Sequence, residues 1–425
     1  MYTPYREFTA KDLLSFLDSV SGKKDLISFF NSALGKDFIP VDDIKDIVLE
    51  IMDRYRSDIY EYGSPQGEYQ LRHDITNLFL SDLINNDNVI ITSGSQQGLD
   101  LTVRVLTKQK KHVLQVAIED PTYIGFKHIL QSWGAKASPL IMERDGVNIA
   151  AFYNLIKHKK IDCLYIIPDY HNPTGTTLSL KKRKQLAEIC HNNNIFIIED
   201  VSYRWLQFDK NAYLPLLSEL NKYSCLVGSF SKMITPGFRI GWVYTAKTDI
   251  YDQLVMEKRA SELFQPYLPQ LVIHSFIQRN NFFDYLKRTK KLLQYRRDYL
   301  YKLLVSILPE HEYEIIKPTG GLYLWVKGPA WLNTYELQSL ALKYNIMFGT
   351  GRFFMKSVHG DQFMRFSYSS LSLSEMHTGV IRLYRVMKSY YRLHKKDYQS
   401  VFSENTQRLA FFTDRLKYEI LLKLY

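Results

Sequence analysis

The sequence is poor in cysteine and contains no long apolar run. Its three cysteines, Cys163, Cys190 and Cys225, are widely separated and odd in number, which argues against a disulfide framework and indicates free thiols in a reducing compartment. Its longest apolar stretches have the length of a β-strand, well short of the roughly 18 residues that a membrane span requires. The first residues also lack the basic-then-apolar pattern of a secretory signal. We therefore expect a cytoplasmic protein with no membrane partner.

The chain carries an excess of basic residues, with 55 Lys and Arg against 44 Asp and Glu, for a formal net charge of +11. Nucleic-acid binding requires such charge to be concentrated on one face. Here the basic residues are spread along the sequence, and clusters such as residues 108–111 and 181–184 lie at predicted helix ends. This distribution favours solvated helix surfaces and anionic small substrates, so we expect no nucleic-acid partner.

Short apolar runs alternate with longer amphipathic stretches between residues 88 and 245. The predicted strands are 89–92, 113–116, 163–167, 195–199, 226–229 and 240–245, with helices between them, for example 96–106 and 180–191. Buried strands separated by helices indicate an α/β fold with a largely parallel sheet covered on both faces. In such sheets the ligand lies at the carboxyl ends of the strands.

The sequence changes character after residue 280. A long basic amphipathic helix (282–308) is followed by two alternating strands (323–326 and 364–368) and a closing helix (375–393). We expect a large domain over 61–280 and a smaller α+β domain over 281–394, joined by part of an N-terminal segment, 1–60. Residues 395–425 have helical periodicity and are predicted to form a C-terminal extension.

A lysine, Lys232, lies in a loop of small residues that follows a predicted strand. A lysine amine that is held neutral can condense with an aldehyde. The hydroxyls of Ser229 and Ser231 precede it and the guanidinium of Arg239 follows it, and these are the groups that a phosphate monoester requires. The alternative is a serine-rich surface loop with incidental charges.

Two further segments carry polar groups directly after predicted strands. The amide of Asn172, in the segment Asn-Pro-Thr-Gly, can hydrogen-bond a phenolic oxygen such as that of pyridoxal phosphate, although Asn-Pro and Thr-Gly pairs also make simple turns. Asp200 at the end of a buried strand needs a positive partner, and a protonated pyridine nitrogen is one. Its alternative role is a helix N-cap. Tyr203 can reach the ring oxygen beside Asn172.

Two earlier loops complete the candidate site. Ser95 and Gln96 join a strand to a helix, where backbone N–H groups and the helix dipole can hold phosphate. Tyr123 follows the next strand and can stack on a pyridine face. Each signal is weak alone, because Gly-Ser loops are common and a lone tyrosine is more often part of a core or a surface.

Six segments occur in a fixed order: SGSQQG, EDPTY, NPTG, EDxSY, GSFSKxxxPGFRxGW and MRFSYSS. In this order they resemble the fold type I pyridoxal-phosphate (PLP) aminotransferases of class I/II, over about residues 25–388. The similarity is greatest to the 2-aminoadipate/kynurenine aminotransferase branch and to the aminotransferase-like domain of MocR-type regulators. It implies a mostly parallel, seven-stranded-type sheet sandwiched by helices, a smaller α+β domain, and pyridoxal 5'-phosphate as cofactor.

The resemblance also implies a role for each residue that matches. Lys232 would carry the cofactor as a Schiff base and move the proton, Asp200 would pair with the pyridinium, and Tyr123 would stack on the ring. Asn172 and Tyr203 would bind the ring oxygen, and Arg365 would hold the substrate α-carboxylate. The phosphate would be bound by Ser95, Gln96, Ser229, Ser231 and Arg239.

The N-terminal part both matches and departs from the family. Tyr62 begins a segment like the family's YGxxxGxxxLR, which implies a homodimer in which Tyr62 reaches the phosphate of the neighbouring site. Asn31 and Ser32 stand where relatives usually carry a Gly-Gly-Leu-Pro turn, and Thr350 replaces a usual proline. The bulkier Ser32 is therefore expected to contact substrate together with Asn172 and Arg365.

Three functions are compatible with this pattern. The first is transfer of an amino group between an α-amino acid, aromatic, 2-aminoadipate-like or otherwise long, and a 2-oxoacid in a ping-pong cycle. The second is a PLP enzyme that catalyses β-elimination, replacement or decarboxylation, since the cofactor stabilises the same carbanion. The third is a MocR-like sensing domain, which is disfavoured because fewer than 30 residues precede the match.

Overall fold

A computed structural model describes residues 10–80, 88–209, 211–279, 282–356 and 358–394. Its strands are β1 (Ile27–Ser28), β2 (Val89–Thr92), β3 (Gln115–Asp120), β4 (Lys136–Glu143), β5 (Gly146–Val147), β6 (Cys163–Ile166), β7 (Phe196–Asp200), β8 (Ser224–Ser229), β9 (Gly241–Thr245), β10 (Glu314–Ile316), β11 (Tyr323–Lys327), β12 (Ile346–Met347), β13 (Gly349–Thr350) and β14 (Phe363–Ser367). Its α-helices are α1 (Ala10–Val20), α2 (Val41–Tyr55), α3 (Tyr69–Phe79), α4 (Ser95–Gln109), α5 (Ile124–Ser132), α6 (Ile149–His158), α7 (Leu180–Asn192), α8 (Leu217–Leu220), α9 (Thr248–Ser261), α10 (Tyr267–Gln278), α11 (Phe282–Ile307), α12 (Thr334–Ala341) and α13 (Leu373–Leu393). The predicted helical extension over 395–425 lies outside the described residues.

Contacts divide the chain into two compact units. Among the described residues, the larger unit lies within Ala33–Lys291 with Thr319–Gly321, and the smaller unit lies within Met1–Ser32, Leu292–Pro318 and Leu322–Tyr425. The larger unit begins at Ala33 rather than at the predicted residue 61, and it ends at Lys291 rather than at residue 280. The first difference arises because α2 packs on α10: Ile47 and Ile51 share a buried core with Ile273 and Phe276.

The larger unit contains an eight-stranded sheet in the order β2-β9-β8-β7-β6-β3-β4-β5. The neighbours from β4 to β8 are parallel, whereas β9 runs antiparallel to both β8 and β2, and β5 runs antiparallel to β4. This confirms an α/β fold with a mostly parallel sheet. Strands β6, β7 and β8 are buried along their whole length, as expected for strands covered on both faces.

The sequence analysis missed β4 and did not assign a direction to β9. Strand β4 alternates exposed positions with buried or partly buried ones and contains Pro139, so it lacks the continuous apolar run by which the central strands were predicted. The cysteines were predicted correctly as thiols, since Cys163, Cys190 and Cys225 are all buried and free. Among the described helices, none combines the length and apolarity needed to cross a bilayer.

The smaller unit contains an antiparallel sheet in the order β10-β11-β14-β13 and a parallel pair, β1 with β12. The part of the N-terminal segment before Ala33 belongs to this unit. Beyond β1, the Phe29 carbonyl oxygen accepts a hydrogen bond from the Ser367 N–H at 2.8 Å. Helix α13 begins with a capping box between Ser372 and Glu375. The predicted α+β character of this part of the chain is therefore confirmed.

Candidate active site

The ends of three strands meet at Gly241 in the larger unit. Gly241 is the residue of β9 that lies opposite Thr92 on one side and Ser229 on the other. A Cβ atom on Gly241 would lie 2.7 Å from the Cα atom of Gly94. The absence of a side chain therefore lets the turn after β2 approach the loop that contains Lys232.

Arg239 lies across this junction. Its Nη2 atom donates to the carbonyl oxygen of Ser93 at 3.1 Å, and a Cβ atom on Gly94 would lie 2.6 Å from the same nitrogen. Gly94 is the N-cap of α4, a helix of 15 residues that begins at Ser95, and as a glycine it offers no side chain to cap the first turn. A guanidinium and the N–H groups of a helix N-terminus together provide donors for an anion.

The lysine follows directly in a short 3-10 turn, Phe230–Lys232, after β8. The Ser229 hydroxyl oxygen accepts from the Ser231 N–H at 3.1 Å. Ser231 is 7% exposed, and its hydroxyl oxygen has no hydrogen-bond partner among the described residues. A buried hydroxyl in that state fits an oxyanion that the protein itself does not supply. These residues therefore fit a phosphate group beside Lys232.

Asp200 ends β7 as a buried carboxyl. Its Oδ1 atom accepts from the Ser202 N–H at 3.0 Å, and its Oδ2 atom accepts from the Tyr165 hydroxyl at 3.1 Å. Burial raises the pKa of Asp200 despite these hydrogen bonds. A positively charged partner would oppose that rise, and a protonated pyridine nitrogen is such a partner.

The remaining ring-contacting candidates form two pairs. The Asn172 amide donates to the Tyr203 hydroxyl oxygen at 3.2 Å, and both residues are buried. The Tyr123 hydroxyl donates to the Gln96 amide oxygen at 3.0 Å, while the Gln96 amide nitrogen donates to the Gly125 carbonyl. The Gln96 side chain is thus engaged with α5, and its backbone N–H in the first turn of α4 is the group that suits phosphate binding.

Sequence reasoning missed a buried polar cluster behind Asn172. Glu119 and His171 are each 1% exposed, and Glu119 Oε2 lies 3.2 Å from His171 Nε2. The same carboxylate oxygen accepts from the Ile167 N–H at 2.8 Å, and His171 Nδ1 lies 2.9 Å from the Thr174 hydroxyl. The signal was present, because a Glu in the apolar run before Asp120 needs a buried partner.

Arg365 and Ser32 lie in the smaller unit. The Arg365 Nη2 atom donates to the Phe30 carbonyl oxygen at 2.8 Å, and the guanidinium lies 4.4 Å from the Tyr323 ring centroid and 4.6 Å from that of Phe354. Ser32 is partly buried in the segment that Arg365 contacts. In the larger unit, Tyr62 is 83% exposed and packs edge-to-face on Phe264.

Lys232, the donors around Gly94, the buried Asp200 and the Asn172–Tyr203 pair are compatible with a PLP-binding site. A family model described as "Aminotransferase class I and II" matches residues 33–383. The chain belongs to this family and is a PLP-dependent aminotransferase, as the sequence analysis predicted. Helix-turn-helix-type transcriptional regulators are also among the matched proteins.

Several of the similar proteins are named aminotransferases. The 2-aminoadipate transaminase of Thermus thermophilus is 29% identical over 335 residues, which is 77% of this chain and 81% of that protein. The structure of α-aminoadipate aminotransferase LysN from Thermus thermophilus, complexed with N-(5'-phosphopyridoxyl)-L-leucine, aligns with a TM-score of 0.82 at 26% identity over 91% of this chain and 97% of that one. The kynurenine aminotransferase of Pyrococcus horikoshii aligns with a TM-score of 0.81 at 25% identity, over 91% and 96% of the two chains.

Proposed function

We propose that Lys232 carries PLP in this aminotransferase and that the amino donor is an α-amino acid with a long or aromatic side chain, a 2-oxoacid being the acceptor. The observation that supports the assignment of Lys232 is its place in one short turn with Ser231, whose buried hydroxyl has no partner among the described residues. The names of the relatives, 2-aminoadipate and kynurenine aminotransferases, support the donor class.

Different residues of the larger unit would bind different parts of the cofactor. Arg239, the first-turn N–H groups of α4 and the hydroxyls of Ser229 and Ser231 hold the phosphate. The Asp200 carboxylate would accept a hydrogen bond from the protonated pyridine nitrogen, and the Asn172 amide and the Tyr203 hydroxyl would bind the ring oxygen. When bound, PLP supplies an electron sink for the negative charge that develops at the substrate Cα.

Lys232 is the group that moves a proton. With its amine free, Nζ of Lys232 would remove the proton from the substrate Cα and hold it for return. Tyr123 covers one face of the ring. Arg365 binds the α-carboxylate that donors and acceptors share, since its guanidinium presents a fork of N–H donors that a lysine lacks.

The active form is a homodimer in which Tyr62 completes the phosphate site of the neighbouring subunit. Tyr62 is 83% exposed in the single chain, and Tyr60 and Tyr69 nearby in sequence are 75% and 60% exposed. A cavity of about 400 Å³ lies beside Tyr62 and is lined also by Gly63, Ser64 and Arg72 among other residues. Three exposed tyrosines within ten residues of sequence are typical of a subunit interface, where aromatic side chains are enriched.

A donor panel with the purified protein tests the function. The wild type with PLP should develop a visible absorbance band. A correct donor should change that band even when no acceptor is present, because transamination leaves the amino group on the cofactor. An elimination reaction does not require this change. Lys232→Ala should abolish the band and the turnover, whereas Lys222→Ala, at an exposed lysine before β8, should leave both unchanged. Normal turnover of Lys232→Ala would overturn the assignment.

A further inference from the structure

Asp200 accepts hydrogen bonds from two sides, from Ser202 and from Tyr165. Ser202 lies in the segment EDxSY, whereas Tyr165 lies in none of the six segments named above. The Ser202 N–H, in the loop after β7, binds the Oδ1 atom at 3.0 Å, and the Tyr165 hydroxyl, from the neighbouring strand β6, binds the Oδ2 atom at 3.1 Å. One donor at each oxygen fixes the plane of the carboxylate. The Tyr165 hydroxyl is therefore a structural determinant of the direction in which Asp200 points.

The ring of Tyr165 is itself immobilised. It is 0% exposed, and it stacks on Phe126 with the ring centroids 3.6 Å apart and the planes inclined by 14°. In the sheet, Tyr165 pairs with Ile118 of β3 and Ile198 of β7. Burial raises the pKa of the Tyr165 hydroxyl well above its usual value, so this group is a neutral hydrogen-bond donor at physiological pH.

The surroundings of Asp200 include effects that oppose its ionised form. Burial is the largest of them, and the negative charge of Glu119, on β3, adds repulsion. The groups that favour the ionised form are Ser202 and Tyr165, because a hydrogen bond donated to a carboxylate stabilises its negative charge. On β8, the residue opposite Asp200 is Val227, which contributes no charge.

We propose that Tyr165 is a positioning residue for the cofactor: its hydroxyl keeps Asp200 ionised and oriented toward the pyridine nitrogen. The inference rests on the proposed function, in which Asp200 pairs with that nitrogen. Tyr165 does not contact the reacting atoms and acts through Asp200. A tyrosine in the middle of an otherwise apolar strand requires a partner for its hydroxyl, and here that partner is the acidic residue of the site.

The substitution Tyr165→Phe removes one oxygen atom and retains the stacked ring. Protein freed of cofactor is titrated with PLP between pH 5 and 9, and bound PLP is measured by absorbance. A lost hydrogen bond to a charged group corresponds to an affinity about tenfold weaker or more. Because the lost bond favoured the ionised carboxylate, the pH below which affinity declines should move upward in the variant.

A double-mutant cycle separates this role from a merely structural one. In an Asp200→Asn background, adding Tyr165→Phe should have little further effect on PLP affinity, because the residue through which Tyr165 acts is already neutral. Tyr313→Phe, which removes another buried hydroxyl that lies 3.1 Å from the Tyr391 hydroxyl, is the matched control and should leave PLP affinity unchanged.

The outcomes are distinguishable. If the wild type binds PLP and Tyr165→Phe binds it with the same affinity and the same pH dependence, this inference is overturned while the proposed function stands. An equal loss of affinity in the wild-type and Asp200→Asn backgrounds also overturns it, since Tyr165 would then act independently of Asp200. If the wild type itself does not bind PLP, the proposed function fails, and the inference fails with it.

Discussion

Arg239 donates a hydrogen bond from Nη2 to the carbonyl oxygen of Ser93, 3.1 Å away, and so joins two loops whose residues are 146 positions apart in the chain. Its Nη1 atom also lies 3.5 Å from the Pro236 carbonyl oxygen. Backbone groups thus orient the guanidinium before any ligand binds. A preoriented donor loses less conformational entropy on binding an anion, which suits a permanent phosphate site.

Replacing Arg239 by lysine should weaken PLP binding on the order of 10- to 100-fold. Lysine retains the charge, but it lacks the planar guanidinium whose several N–H groups can bind the Ser93 carbonyl and a phosphate at the same time. The dissociation constant of PLP from the protein freed of cofactor is the measurement. Arg259→Lys, at an exposed position in the last turn of α9, is the control and should bind PLP as the wild type does. Unchanged affinity of Arg239→Lys would remove Arg239 from the phosphate site.

Gly241→Ala should destabilise the larger unit and weaken PLP binding together. The three atoms nearest to the added Cβ would all be backbone, including the Gly94 carbonyl carbon at 2.5 Å and the Ser95 nitrogen at 2.7 Å, and backbone cannot move aside as a flexible side chain can. Gly237→Ala in the same loop is the matched control, since its Cβ would have Thr235 Oγ1 as its neighbour at 3.7 Å. Thermal unfolding with and without PLP measures both effects, and equal behaviour of the two variants would contradict the close approach described above.

The stability of the folded protein should decline between pH 5 and 7 through Glu199. Burial raises the pKa of Glu199 to about 7 from 4.5, although the N–H groups of Leu217 and Ser218 donate to its carboxylate. In this window the folded state holds a proton that the unfolded state has lost, so stability falls as pH rises and levels off above 7, by at most about 3 kcal/mol.

Urea unfolding of Glu199→Gln at several pH values checks this sign. The variant should gain stability relative to the wild type as pH rises from 5 to 8. Glu375→Gln is the control, because hydrogen bonds from Ser372 lower the pKa of Glu375 and leave it ionised across the window. Its stability difference from the wild type should therefore be the same at every pH, and a constant difference for Glu199→Gln would contradict the raised pKa.

Arg365→Lys should raise KM for both the donor and the 2-oxoacid, on the order of 10- to 100-fold, because a bidentate contact with the shared carboxylate is lost. PLP affinity should not change, which separates this variant from those of the phosphate site. Arg382→Lys, at an arginine that donates to the Asp25 and Asn345 carbonyl oxygens in the same unit, serves as the control. Wild-type KM values in Arg365→Lys would exclude the carboxylate role.

Mixed dimers of Tyr62→Ala and Lys232→Ala subunits should be more active than either variant alone. One site of such a hybrid has Lys232 from one chain and Tyr62 from the other, and is therefore intact if Tyr62 acts across the interface. Activity is measured after the two variants are unfolded, mixed and refolded, with each variant alone treated identically. Recovery no greater than the average of the separate variants would mean that Tyr62 acts within its own subunit.

The sequence contained more information on the central sheet and the phosphate loops than on the boundaries and the supporting contacts. Strands β6 to β8 were predictable because they are buried apolar runs, and the ordered motifs placed Lys232 and Arg239 in one loop. The division at Ser32 was not predictable for two reasons. Strand β1 has only two residues, too few to show a pattern, and its partner β12 lies more than 300 residues later in the chain. The contact of Tyr165 with Asp200 was missed because register between neighbouring strands decides it, and register cannot be read from one strand.

The position of β2 at the edge of the sheet has a consequence for biosynthesis. Strand β2 pairs with β9, and β9 in turn pairs with β8, so the turn that begins α4 acquires its partners only when a much later part of the chain arrives. A chain that ends before Gly241 lacks β9, which follows Arg239 and pairs with β2 next to the turn that begins α4. The pairing of Thr92 with Gly241 therefore cannot form before β9 has been synthesised, and its formation closes a long loop of chain at a cost in conformational entropy.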